Sequence, residues 1–253
     1  MTDLFAALSE ATGLAADLWR QGFAVFLRVG ALMALLPGFG EQVVPARVRL
    51  VLALALTAVV APVVTLPDLG LAGYGGEVVA GLVLGLGLRL FIVVLQTAGA
   101  IAAQASSLSQ ILGGAGEPQP AIGHLLTWGG IALAMSAGLH LRVVEALILS
   151  YDALPPGAVM SPGVMAEWGV AQVAQAFRLA FSLAAPFVAA SLIYNVALGV
   201  INKAMPQLMV SMIGAPALTL GGLAMLAVVA PLALSLWLGA LHDWLADPFA
   251  GAP

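Results

Sequence analysis

The sequence predicts an all-α integral membrane protein. Three observations carry that expectation: 62% of the 253 residues are hydrophobic while only 8% are charged, the apolar residues fall into six long blocks, and the joints between blocks are short and rich in Pro and Gly. A soluble domain is about 45–50% apolar and about 25% charged. A chain with so little charge, and a mean hydropathy of +1.09, cannot cover a water-facing surface. Its outside must meet lipid or other apolar protein. In hydrocarbon every backbone polar group has to bond within the protein, which leaves helices or closed barrels. A barrel strand needs about ten residues of apolar and polar alternation. These blocks are longer and apolar on all sides, so helix is the expected state.

The blocks run over 18–36, 48–66, 78–103, 121–149, 170–201 and 208–241. The first two have the length of simple spans, since about 20 residues cross a hydrocarbon core about 30 Å thick. The last two exceed that by about half and contain breakers, Pro186 in one and Pro216, Gly221, Gly222 and Pro231 in the other. Kinked helices, or hairpins folded back midway, are the expectation there. Six spans would be the naive count. The joints read PGFG at 37–40, PDLG at 67–70 and LPPG at 154–157. The connection 106–120, SSLSQILGGAGEPQP, differs from them: it is polar, and each Gly in its GGAG run weakens a helix by about 1 kcal/mol relative to Ala. Such backbone belongs outside the bilayer, inside protein or beside water. An exposed loop and a plug seated in a conduit both fit it.

Charge is scarce, and its placement excludes several classes. The net charge is −4 and the eight basic residues are scattered, so no nucleic-acid partner is expected. With no Cys there is neither a disulfide framework nor a thiolate metal site. Asp3, Glu10 and Asp17 precede the first apolar block, which is not the basic start of a cleavable leader. Basic residues differ too little between alternate joints to fix an orientation. Arg28, Arg89 and Arg178 lie inside apolar blocks, where charge is costly, so they should face protein, water or a polar cavity.

No catalytic arrangement emerges. His124, His140 and His242 are isolated rather than paired as metal ligands, and no nucleotide-binding, hydrolase or zinc-protease motif occurs. No enzyme and no cofactor are expected. Gly81 and Gly85, followed by Gly87, form a small-residue ladder that lets helices approach closely, within the chain or against another subunit. Met205, Met209 and Met212 have the spacing of one helix face, a packing stripe or an adaptable contact. Arg142 and Glu145 could pair along a helix, and Asn195 and Gln207 could bond across helices.

Four stretches, in order along the chain, resemble the FliR family and its injectisome counterpart, SctT. The strongest is LGVINKAMPQLMV at 198–210, followed by Gly214-Ala-Pro216 and Gly221, which is similar to the family's LGxxxRxxPQxxV region. Next come PGFG at 37–40 with VPARVR at 44–49, then GLH at 138–140, then SYDALPPG at 150–157. Lys203 stands where the family more often has Arg, and Ala215 where an aromatic is common.

The resemblance implies a subunit of the type III protein export gate. It implies a single copy assembled with several FliP and FliQ homologues in a closed helical ring. FlhB would contact the outside and FlhA would surround the gate below. Residues 1–157 would form a FliP-like part, and 158–253 would contain a FliQ-like hairpin. Unfolded export substrates would pass through the central conduit, driven by the proton-motive force and an associated ATPase. It further implies a plug loop comprising Ser106, Ser107, Gln110, Gly113, Gly114, Gly116, Glu117 and Pro118. Assembly or packing residues are expected at Pro45, Arg47, Arg49, Gly81, Gly85, Lys203, Met205, Pro206, Gln207, Met209, Gly214 and Pro216. The expected place is the bacterial inner membrane, at the flagellar basal body, in contact with lipid. An injectisome subunit is the nearest alternative. A secondary transporter of small solutes is the alternative from another class, since broken helices occur there too, but clustered polar residues and pseudo-symmetric halves are not visible.

Overall fold

The computed structural model describes residues 2–41, 44–106, 121–157, 161–205 and 210–249, with backbone alone for 2–15 and 210–216. Every regular element among the described residues is an α-helix. They are α1 (Thr2–Leu35), α2 (Ala46–Val60), α3 (Leu71–Ala105), α4 (Ala121–Ser136), α5 (Leu139–Ala153), α6 (Pro162–Ala204) and α7 (Val210–Ala246). Four are long and apolar enough to cross a membrane: Ala16–Leu35 of α1, then α3, α6 and Ala217–Ala246 of α7; α4 with α5 makes a fifth candidate as a bent pair. The all-α membrane expectation holds.

The helix boundaries correct the block reading in several places. α2 stops at Val60 rather than continuing to 66: Pro62 has no N–H to donate to the helix ladder, and the chain leaves through a tight turn in which the Val63 N–H bonds the Val60 carbonyl at 3.0 Å. At 15 residues it is roughly 22 Å long, short of a span. The block 121–149 is two helices, broken at Gly138, whose φ of 84° lies in the left-handed region open to glycine. α6 is not folded back midway: its 43 residues run unbroken through Pro186. α7 likewise continues through Pro231. The methionine stripe fails. α6 ends at Ala204 and α7 begins at Val210, so Met205 sits in the joint and shares no helix with Met212. Pro206 explains the break, since the residue before a proline is pushed out of helical geometry.

Two compact units emerge. The first comprises Met1–Arg89, Leu139–Gly169 and Trp244–Pro253. Its core is the stripe Ala24, Val25, Val29, Leu32 and Met33 of α1, at helical spacing, with Leu36 just past the helix end, all buried. α3 packs against this stripe through Gly81, where a Cβ would overlap the Arg28 carbonyl oxygen and lie 2.9 Å from the Ala31 side chain. One turn on, a Cβ at Gly85 would lie 2.9 Å from Leu35. At Gly87 the ring of Trp244 fills the space. Gln21 donates to the Ala61 and Val64 carbonyls, closing the end of α2.

The second unit comprises Leu90–Gly138 and Val170–Asp243. Here α4 lies close against α3, with Gly123 backbone where a Gly99 Cβ would go. α7 turns Leu226, Ala230, Ala233, Trp237 and Leu241 inward. The Trp237 indole N–H donates to the Phe91 carbonyl at 2.9 Å, and the two rings meet edge to face with centroids 6.4 Å apart. A carbonyl oxygen has two lone pairs, so it can accept the indole N–H beside a helix bond, and the contact fixes one indole orientation.

Candidate functional site

Two features stand out: a charge cluster sealed inside the first unit, and apolar helix faces left open on the second. The cluster is centred on Arg28. Its Nε donates to Glu77 Oε2 at 2.8 Å and its Nη2 to Glu77 Oε1 at 3.0 Å, a two-pronged pairing. Nη1 donates to Ser150 Oγ at 3.0 Å and Nη2 also to the Leu154 carbonyl at 3.0 Å. The guanidinium plane lies over the Tyr151 ring, 3.7 Å from its centroid. Side-chain exposure is 1% for Arg28 and 0% for Glu77, so water contributes nothing to holding the charges. Each hydrogen bond is therefore supplied by protein, as a buried ion must have. Three helices converge to do this: α1 brings Arg28, α3 brings Glu77, and the end of α5 brings Ser150, Tyr151 and the Leu154 carbonyl. Arg89 pairs similarly with Glu41, half-buried.

The open faces belong to α6 and α7. In its most apolar stretch α6 has 11% of residues buried, and α7 17%, against 56% for α3. Phe177, Phe181, Leu192, Ile193, Val196 and Val200 all point outward from α6. Between α6 and α3 in the second unit runs a groove of about 550 Å³ lined by Ala100, Ile101, Gln104, Val188, Leu192 and Asn195. The Asn195 amide nitrogen donates to Ser191 on its own helix, at 2.8 Å to the carbonyl and 3.2 Å to the hydroxyl, rather than to another helix among the described residues. Arg142 and Glu145 are both exposed and do not pair.

The residues singled out from the sequence fall in several places. Ser106 is buried at the end of α3, its hydroxyl bonded to the Ala102 carbonyl at 2.7 Å. Ser107, Gln110, Gly113, Gly114, Gly116, Glu117, Pro118, Pro206, Gln207 and Met209 lie outside the described residues. Gly214 and Pro216 are on α7, where the backbone alone is described. Pro45 caps α2 in extended geometry, with φ −57° and ψ 141°. Arg47 is exposed on α2, while Arg49 lines a groove of about 490 Å³ with Phe26, Leu27 and Leu50. Gly81 and Gly85 are buried between α3 and α1. Lys203, in the last turn of α6, suits the negative end of the helix dipole, and Met205 beside it is exposed.

Sequence reasoning singled out Arg28 as facing protein, water or a polar cavity, but missed Glu77. The usable signal was there. A carboxylate 49 positions away, just before a strongly apolar run, is the natural partner for a buried arginine. Ser150, Tyr151 and Leu154 had been noticed only as part of a family-like stretch.

The sequence matches the family described as bacterial export proteins, family 1, over residues 20–244. It is 36% identical over 216 residues to the flagellar biosynthetic protein FliR of Caulobacter vibrioides, covering 81% of this chain and 86% of that one. It is 27% identical to the FliR protein of Escherichia coli, covering 81% and 82%. It is 25% identical to that of Bacillus subtilis, covering 79% and 82%.

Proposed function

Because the chain belongs to the bacterial export proteins of family 1, among the FliR-type flagellar proteins, we propose that it is a structural and gating subunit of the flagellar export gate, built into a ring with FliP and FliQ homologues. Membership makes it a component of flagellar type III export, and its apolar helices make it a multi-pass membrane protein, as suits the inner membrane. The finer reading adds partners and a role. The ring stands at the basal body, FlhB and FlhA homologues contact it, and unfolded flagellar proteins cross through its centre. Within the chain, 1–157 corresponds to the FliP-like part and 158–253 contains the FliQ-like hairpin.

One observation carries the assembly reading: α6 is too long and too bare to be served by lipid alone. Its apolar stretch 170–201 is roughly 48 Å long. A hydrocarbon core about 30 Å thick, crossed at the largest usual tilt of about 40°, covers about 39 Å of helix. The remainder is apolar surface with nothing of its own chain over it, which neighbouring subunits would cover.

Purification in mild detergent followed by mass spectrometry tests this. FliP and FliQ homologues should be recovered in one particle with the chain. A chain that purifies alone, and moves a small solute by itself in liposomes, would overturn the reading. Segment 106–120 is proposed as the plug. Its deletion should leave the particle assembled but make the membrane leak ions, and a tight membrane with normal export would refute that role.

A further inference from the structure

The three arginines set inside apolar stretches are treated differently. Arg28 is matched by Glu77 and Arg89 by Glu41. Arg178, on α6, is exposed, and no carboxylate among the described residues pairs with it. It lies on the face opposite Ala180, Leu183, Ala184 and Phe187, the buried side of the helix. Gln175 and Ser182, three residues before it and four after, share its outer face and are exposed. Ala171, Ala185 and Ala189 continue that face in both directions, also exposed.

The shoulders of the face are not polar. Phe177 and Phe181 stack on each other beside it, centroids 6.4 Å apart, and both are exposed. Further along, Ile193, Val196 and Val200 occupy the same side. Water would suit the arginine and leave these side chains wet. Lipid would suit them and strand the arginine. A helix bearing a carboxylate satisfies both, and the alanines let it approach closely enough for Gln175 and Ser182 to bond across. The chain solves the same problem internally in this way, with Glu77 opposite Arg28.

We propose that this face of α6 docks a helix of a neighbouring export subunit that presents a carboxylate to Arg178. The proposal rests on the assembly reading above. Arg178→Glu should lower recovery of the assembled particle about tenfold or more, because it sets two like charges together in a dry contact. Arg178→Lys should lower it much less. An acidic-to-basic change in a co-purifying chain should restore the Arg178→Glu particle.

The chain has no Cys, so a single Ser182→Cys or Ala185→Cys is the one thiol it carries. In membranes holding the whole apparatus, that thiol should resist a water-soluble maleimide and cross-link to a neighbouring subunit through a paired cysteine. This second arm needs no change at Arg178, so it stands even where Arg178→Glu fails to fold. Ready labelling in the assembled particle would overturn the proposal in favour of a water-facing surface. Protection without any cross-link, with Arg178→Glu particles recovered normally, would overturn it in favour of lipid. A chain that co-purifies with no partner would instead remove the assembly reading itself.

Discussion

α3 and α6 are both long apolar helices, of 35 and 43 residues, yet they do opposite things. In their most apolar stretches α3 is 56% buried and α6 11%. α3 meets its neighbours through glycines, Gly81 and Gly85 against α1 and Gly99 against α4, so backbones touch. Its charges, Glu77 and Arg89, are matched inside the chain by Arg28 and Glu41. α6 keeps large apolar side chains and an arginine facing out. The difference teaches that hydropathy identifies a membrane helix but not what surrounds it. The markers of self-sufficiency are small residues at crossings and charges already matched. α3 has both and α6 lacks the second.

The largest test of this contrast is Glu77→Leu. It leaves the Arg28 guanidinium with two neutral acceptors in a site closed to water, and breaking one side of a buried pair typically costs about 3–5 kcal/mol. The chain should be lost from the membrane fraction, or aggregate in mild detergent well below the temperature of the parent. The double replacement Arg28→Met with Glu77→Leu should recover most of that loss, since an apolar pair of similar volume removes the stranded charge. A Glu77→Leu chain with unchanged thermal aggregation would mean that the pair does not organise the first unit.

A middling effect is expected at Gly81. Leucine there would drive a side chain into the Arg28 carbonyl, and overpacking of this kind costs about 1–3 kcal/mol. Gly85→Leu should behave similarly. Gly199 on α6 is the control, because nothing lies within 4 Å of where its Cβ would be. Gly199→Leu should leave the folded chain as stable as the parent. Equal losses at Gly81 and Gly199, read by detergent-resistant folded yield, would erase the distinction between the two helices.

Much of the fold was legible because it follows from solvent. Low charge and long apolar blocks leave helices as the economical answer, and Pro37–Gly40 and Leu154–Gly157 marked real ends, with Gly38 and Gly157 at positive φ. What escaped depended on neighbours. Pro186 looks like a breaker in sequence, but it removes one rung of the ladder and the helix keeps the others on either side. Gly138 looked like one more glycine in an apolar block and is the point where the helix ends. Glu77 was lost because hydropathy treats a carboxylate as the edge of a span, whereas α3 begins six residues earlier, at Leu71, and carries it inside. The charges of Arg142 and Glu145 suggested a pair by spacing alone; exposed to solvent, such a pair contributes little, and the two do not join.

The smallest effect is also the one that separates the helices most cleanly. Leu192→Ala or Val196→Ala on α6 removes a side chain that is exposed in the chain by itself. Substitutions at exposed positions usually change stability by less than about 0.5 kcal/mol, so folded yield of the isolated chain should not move. Recovery of the assembled particle should fall if a neighbouring subunit covers these positions, because a cavity then opens at the contact and the transfer of apolar surface is lost. If lipid covers them, acyl chains close over the smaller residue and neither quantity changes. The paired measurement therefore assigns the outer surface of α6 position by position, and a run of residues that affect the particle but not the chain would trace the path of the partner along it.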